Sequence, residues 1–161
     1  NVASCVMANL VTGPVTADAM YVTVQKEVAE RMAAPPGHEE YGPLSILLSA
    51  TGSVQILKKL PPPVFWPRPQ VDSAIVSFQR DRKKAAQIHS MEMFRRVVQL
   101  FMSHRRKMIK ACVKFAEGDL AGVHNWPDVF DEAFVDPQLR PEDLAATDYI
   151  NIANLCYEQS R

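Results

Sequence analysis

The 161-residue sequence is short of glycine, with only Gly13, Gly37, Gly42, Gly52, Gly118 and Gly122. None of these stands in a glycine-rich turn after a strand-like run, the device a nucleotide-type cofactor needs for close backbone approach. Long apolar runs are also missing, and none approaches the ~20 residues of a membrane helix. Cysteine is scarce and odd in number: Cys5, Cys112 and Cys156 lie far apart, and no ligand spacing relates them to His38, His89, His104 or His124. That pattern argues against a disulfide framework or a metal site and predicts reduced, mostly buried thiols in a cytoplasmic protein. The opening Asn-Val-Ala-Ser has neither an initiator Met nor the charged start of a signal peptide.

Net charge is zero, but the charges are sorted along the chain. Residues 1–79 hold 5 Lys/Arg and 6 Asp/Glu, residues 80–116 hold 11 and 2, and residues 117–161 hold 2 and 10. A basic centre of this kind either binds phosphates or is neutralised by the acidic tail, and charge alone does not choose between them. An apolar content of 47% suffices for a core, and 22% charged residues argues against disorder.

Proline is plentiful in one place. Leu60 to Ser73 contains Pro61, Pro62, Pro63, Pro67 and Pro69. Each fixes its own φ and pushes the preceding residue toward extended geometry, so neither a helix nor a central strand can run through. A stiff, extended loop is predicted, carrying Phe65 and Trp66 with Arg68 just beyond. Such a loop either packs its aromatics on the core or presents a ring for stacking on a base.

Around this loop the pattern predicts a short helix from Asn1 to Val11, a buried strand over 19–24 and a helix over 25–34. A helix opening at Tyr41-Gly42-Pro43 follows, then two strands over 53–60 and 73–79 that flank the loop and can pair antiparallel. On 53–60, Val54, Ile56 and Leu57 are expected inward. Residues 80–87 read as a charged junction without apolar periodicity and mark a domain boundary. Beyond it only helices are expected: 91–102, 105–115, one from Trp126 with Val129, Phe130 and Phe134 inward, a turn at Pro141, and 147–158. The predicted helix over 105–115 would place Lys107, Lys110 and Lys114 on one face with Arg106 beside them. That face reads either as a phosphate-binding surface or as a solvated one paired with acids.

Four stretches, in order along nearly the whole chain, resemble one family. Pro62-Pro63, Phe65, Pro67, Pro69, Val71, Asp72 and Ser73 resemble the loop signature of the KsgA/Dim family of rRNA adenine dimethyltransferases, with Gln70 where that family usually has Lys. Gln25 to Arg31 with Tyr41-Gly42-x-Leu44-Ser45, Phe101 to Lys110, and Asp136 to Leu144 are similar to further family motifs.

The resemblance implies an α/β fold: the C-terminal part of a Rossmann-like methyltransferase sheet of about three strands (residues 1–80), followed by a small all-α rRNA-binding domain (residues 88–161). It implies S-adenosyl-L-methionine-dependent dimethylation of small-subunit rRNA adenines, with the small ribosomal subunit as partner. Phe65 would line the pocket of the flipped target adenine. Arg68, Arg105, Arg106, Lys107 and Lys110 would touch rRNA, although one of the arginines could serve structure instead. The family's glycine turn, cofactor-holding acids and Asn-Leu-Pro-Tyr motif lie upstream of the matched region. The resemblance thus implies a piece of a longer enzyme, inactive alone, with no catalytic and no cofactor-binding residue of its own. It also implies a free strand edge near residues 19–24, with an uncovered apolar face open to dimerisation or to pairing with further strands. Two other readings stay open: a resistance-type large-subunit rRNA adenine methyltransferase, and a non-catalytic RNA-binding ribosome-assembly factor.

Overall fold

A computed structural model describes residues 2–160. The chain forms two compact units: one comprises the chain up to Pro35 together with Glu39–Ala85, the other Pro36–His38 together with the chain from Ala86 on.

The first unit is α/β. Helix α1 spans Val2–Thr12; the expected start at Asn1 lies outside the described residues. Its end is fixed by chemistry from elsewhere in the unit. The Arg80 guanidinium donates to the carbonyls of Val11 (2.9 Å), Leu10 (3.3 Å) and Ala17 (3.0 Å), a cation on the orphan acceptors of a helix C-terminus. Strand β1 (Ala19–Gln25) passes straight into α2 (Lys26–Ala33), and α3 (Pro43–Thr51) leads into β2 (Gly52–Leu60). The proline loop follows, then β3 (Ser73–Arg80).

The sheet order is β1-β3-β2, antiparallel throughout. The pairing of the two loop-flanking strands is as the alternation predicted. Met20, Val22 and Val24 stand opposite Phe78, Val76 and Ala74, and Val54 and Ile56 join the same rows from the other side. This face packs on Val28, Ala29 and Met32 of α2 and on the apolar residues of α3, of which Ile46 and Leu48 are fully buried. The Ser45 hydroxyl donates to the Arg31 carbonyl at 2.6 Å and accepts from the Gly42 N–H at 3.0 Å, so the Tyr41–Ser45 motif ties α2 to α3.

Two expectations are corrected here. Strand β1 is not buried on both faces: Tyr21 is 66% exposed and donates nothing to a core, because β1 lies at the sheet edge and its side chains alternate. Its apolar side is covered by the helices, and the open side carries Tyr21, Thr23 and Gln25. Leu57 points outward, since the β2–β3 register slips between Ile56 and Lys58 and leaves it as the extra residue of a bulge. Within the charged 80–87 junction Arg82–Ala85 forms a short helix, α4, capped by Asp81 Oδ1, which accepts the N–H groups of Lys83 (2.8 Å) and Lys84 (3.1 Å).

The second unit contains only helices among its described residues: α5 (Met91–Met102), α6 (Ile109–Cys112), α7 (Trp126–Glu132) and α8 (Ala146–Gln159), with short 3-10 turns between. Ser90 Oγ caps α5 by accepting the Met93 N–H at 3.2 Å. The core is built where α5 meets α8, from Phe94, Val97, Val98 and Phe101 against Tyr149, Ile152, Ala153 and Cys156. Phe101 sits at the centre, its ring 6.1–6.4 Å from those of Trp126, Phe130 and Tyr149. Burying one such side chain contributes roughly 1.5–3 kcal/mol.

Phe134 is the exception to the predicted inward set. It is 94% exposed at φ 58°, because α7 stops at Glu132 and the chain reverses through a left-handed residue, with the Val135 N–H reaching the Phe130 carbonyl at 2.9 Å.

Candidate RNA-contacting site

The first candidate surface is the proline loop. Its entry and exit are set by the last β2–β3 pair, Leu60 opposite Ser73. Its exit is pinned by the Lys26 N–H, which donates to the Asp72 carbonyl at 2.9 Å. The loop is not extended throughout, as predicted from its prolines. Pro62–Val64 form a single 3-10 turn, in which the N–H groups of Val64 and Phe65 return to the carbonyls of Pro61 and Pro62 at 3.2 Å. Proline tolerates this at a first turn, where its missing N–H has no partner to lose. Phe65 then resumes extended geometry (φ −112°, ψ 149°), and the Trp66–Pro67 bond is cis. The Phe65 ring is half-buried, neither sealed in the core nor free. Trp66 is 96% exposed, and Arg68 and Gln70 are exposed.

The second candidate surface lies in the helical unit, and its geometry departs from expectation. The helix predicted over 105–115 is not formed, so no single helix face carries Arg106, Lys107, Lys110 and Lys114. Helix α5 closes at Ser103, whose N–H donates to Gln99 O at 3.0 Å; the N–H groups of His104 and Lys107 then turn back to Phe101 O and His104 O. Met108 is extended (φ −63°, ψ 147°). The first donors of α6 go to tertiary partners, Ile109 N–H to Leu139 O (2.9 Å) and Lys110 N–H to Pro137 O (3.1 Å). These donors are satisfied from the 136–144 segment, which is why the chain breaks here despite good helix formers. That segment is itself locked: Tyr149 Oη donates to Pro141 O at 2.8 Å, and Leu144 is fully buried.

The result is a basic corner. Arg106, Lys107, Lys110 and Lys114 are exposed. Arg105 is drawn inward and donates through Nε (3.0 Å) and Nη2 (2.8 Å) to Oε2 of Glu142. Beside it the His104 ring stacks on Phe115 at 4.0 Å and 12°, and the Lys107 ammonium lies 5.7 Å from the Phe115 centroid. Sequence reasoning missed this stack, since nothing in the spacing of 104 and 115 announces a contact across a broken helix. Burial pushes the Cys112 thiol up, opposed by the charge of Lys107. Burial pushes the Cys156 thiol further, to about 12.

The strand-to-helix junctions are Gln25–Lys26 and Arg80–Arg82; neither contains glycine, the Lys26 N–H donates to Asp72 O, and the Arg80 and Asp81 N–H groups donate to Asp18 O and Thr51 O. Among the described residues no three His, Cys, Asp or Glu come together as a metal-binding group, and no helix is long and apolar enough to cross a membrane.

An antiparallel α/β unit with a proline-stiffened loop presenting aromatics, followed by a helical unit with a basic corner, is an arrangement that known proteins share. Residues 1–157 match the family described as ribosomal RNA adenine dimethylase, and the chain belongs to that family. Similar relatives named "Ribosomal RNA small subunit methyltransferase A" include that of Treponema denticola, 34% identical over 159 residues, covering 96% of this chain and 53% of the relative. That of Dechloromonas aromatica is 36% identical over 135 residues, covering 84% and 50%. The chain therefore spans about half the length of the curated relatives it matches.

The fold is shared with a crystal structure of a dimethyladenosine transferase from Plasmodium falciparum (TM-score 0.79, 20% identity, 99% of this chain and 65% of that one). It is shared more loosely with the 23S rRNA methyltransferase ErmE (TM-score 0.61, 16% identity, 96% and 60%).

Proposed function

We propose that this chain supplies the substrate-holding and RNA-docking parts of an enzyme that dimethylates adenines of small-subunit rRNA in the cytoplasm. The observation that carries the reading is Phe65: a ring held half-open on a loop whose conformation is fixed by prolines and by the Lys26–Asp72 hydrogen bond. Enzymes that modify a base lift it out of its stack and hold it by aromatic contact, and a ring on a rigid loop does this at little entropic cost. The names of the similar relatives support the small subunit as partner.

Arg106, Lys107 and Lys110, exposed on the basic corner, are assigned to rRNA phosphates, and Arg68 to a phosphate near the loop. Arg105 is assigned chiefly to holding the corner through Glu142, with any RNA contact secondary. S-adenosyl-L-methionine is the methyl donor this family of enzymes implies. No described residue is assigned a step with it, and these 161 residues alone are expected neither to bind it at micromolar affinity in calorimetry nor to methylate. Strand β1, at the sheet edge, is the proposed place for pairing with further strands or with a second copy.

The test is methyl transfer to unmodified small subunits by the full-length gene product. Phe65→Ala should cut methylation by about tenfold or more, the loss of one base stack, while subunit binding stays within about twofold. Unchanged methylation in that variant would overturn the role of Phe65.

A further inference from the structure

Trp66 is the side chain that the foregoing reading leaves without work. It is 96% exposed, whereas tryptophan is among the side chains that proteins bury most on average. The residue before it is extended, so successive side chains leave the backbone on opposite sides: Phe65 leans on the protein and Trp66 stands away from it. The indole is held there by a stiff frame, with Pro67 after it and three prolines before the 3-10 turn closes. The segment that carries it is mostly cationic, with one carboxylate, Asp72, at the loop's exit. Residues 53–71 contain Lys58, Lys59 and Arg68 and no Asp or Glu. All three cations are exposed, and among the described residues none forms a salt bridge.

We infer that Trp66 is a second stacking platform, one that takes an unpaired nucleotide of the RNA other than the base assigned to Phe65. An exposed indole on a chain segment that also carries unpaired cations suits single-stranded nucleic acid: the ring accepts any base face, and the lysines and arginine can neutralise phosphates of the same strand. A basic or neutral protein surface would gain nothing from those three cations. This inference rests on the reading of the loop as an RNA-holding element and adds a second binding position on its outer side. Trp66 would hold the strand that flanks the target while Phe65 holds the target itself.

The experiment uses the 161-residue chain and a single-stranded twelve-nucleotide adenylate RNA at low salt. Trp66 and Trp126 are the only tryptophans, so the emission of Trp66 is the difference between the parent chain and Trp66→Phe. That emission should fall by more than half at saturation. Trp66→Ala should weaken binding about tenfold and Trp66→Phe by no more than about threefold, the ring being what matters. Thermal unfolding of both variants should match the parent, because the side chain touches little of the fold.

Unchanged emission at saturation, or full affinity in Trp66→Ala, overturns the inference. If Arg106→Glu weakens binding while Trp66→Ala does not, the RNA-binding reading stands and Trp66 alone is excluded from it. If the parent chain fails to bind the RNA at all, both fall together.

Discussion

Arg105 and Arg106 are neighbours in the chain with opposite fates in the fold, and separating them is the sharpest test of the basic corner. Arg105 places Nε and Nη2 at 3.0 and 2.8 Å from one oxygen of Glu142, with the two side chains 37% and 26% exposed. At 2.8 Å two unit charges in fully water-like surroundings attract by about 1.5 kcal/mol. Charge-assisted hydrogen bonds of this kind contribute about 1.5–3 kcal/mol net when shielded, and solvent at this pair lowers that to about 1–2 kcal/mol.

A cycle of Arg105→Ala, Glu142→Ala and the double variant isolates this coupling from the other contacts Arg105 makes. Measured by thermal unfolding, each kcal/mol should appear as about 2–4 °C for a chain of this size. Arg106→Ala, at an exposed position, should leave stability within about 0.5 kcal/mol of the parent. It should instead lower the slope of log affinity against log salt for RNA by about 0.7–0.9, the share of one phosphate contact. The reasoning fails if the coupling is under about 0.3 kcal/mol, the noise expected for independent sites, or if Arg105→Ala changes the salt slope as Arg106→Ala does without touching stability.

Two further outcomes are expected. A methyl at Gly52 would stand 2.2 Å from the Gln79 carbonyl oxygen and 2.7–2.8 Å from the buried Phe78 ring, so Gly52→Ala must push β2 off β3. It should cost about 1–3 kcal/mol by denaturant unfolding, and an unaltered midpoint would refute the close approach. The folded Cys156 thiol stays neutral to about pH 12, whereas an unfolded one ionises from about pH 9. Between those values the unfolded state holds fewer protons, so stability falls as pH rises, by roughly 1.4 kcal/mol per pH unit at most. Cys156→Ala should show a flatter alkaline limb, and an identical limb in both proteins would contradict a buried, neutral thiol.

Much of the α/β unit was legible because its signals are local. Prolines 61–69 dictated a loop, and alternation in 53–60 and 73–79 dictated two strands with one way to meet. Phe65 was singled out from its motif, whereas the half-buried setting of its ring was not legible there. What the sequence concealed depends on distant partners. The break between α5 and α6 arises because Leu139 and Pro137 offer carbonyls to Ile109 and Lys110 and Glu142 draws in Arg105, across some thirty residues. Local helix propensity through 105–115 cannot register that competition. Phe134 misled for a related reason. Its spacing continues the apolar stripe of α7, but the helix ends two residues earlier. Exposure of Trp66 also escaped the sequence, since an aromatic on a stiff loop is as consistent with the core as with solvent.

The bulge at Leu57 gives the hairpin a property that its paired residues do not reveal. Ile56 already faces Val76 and Lys58 already faces Ile75, with Leu57 skipped between them. A chain lacking that one leucine would keep every other cross-strand neighbour and lose only the added twist. What Leu57 governs is therefore the heading on which the ribbon leaves the sheet, and with it the direction in which the proline tip is aimed.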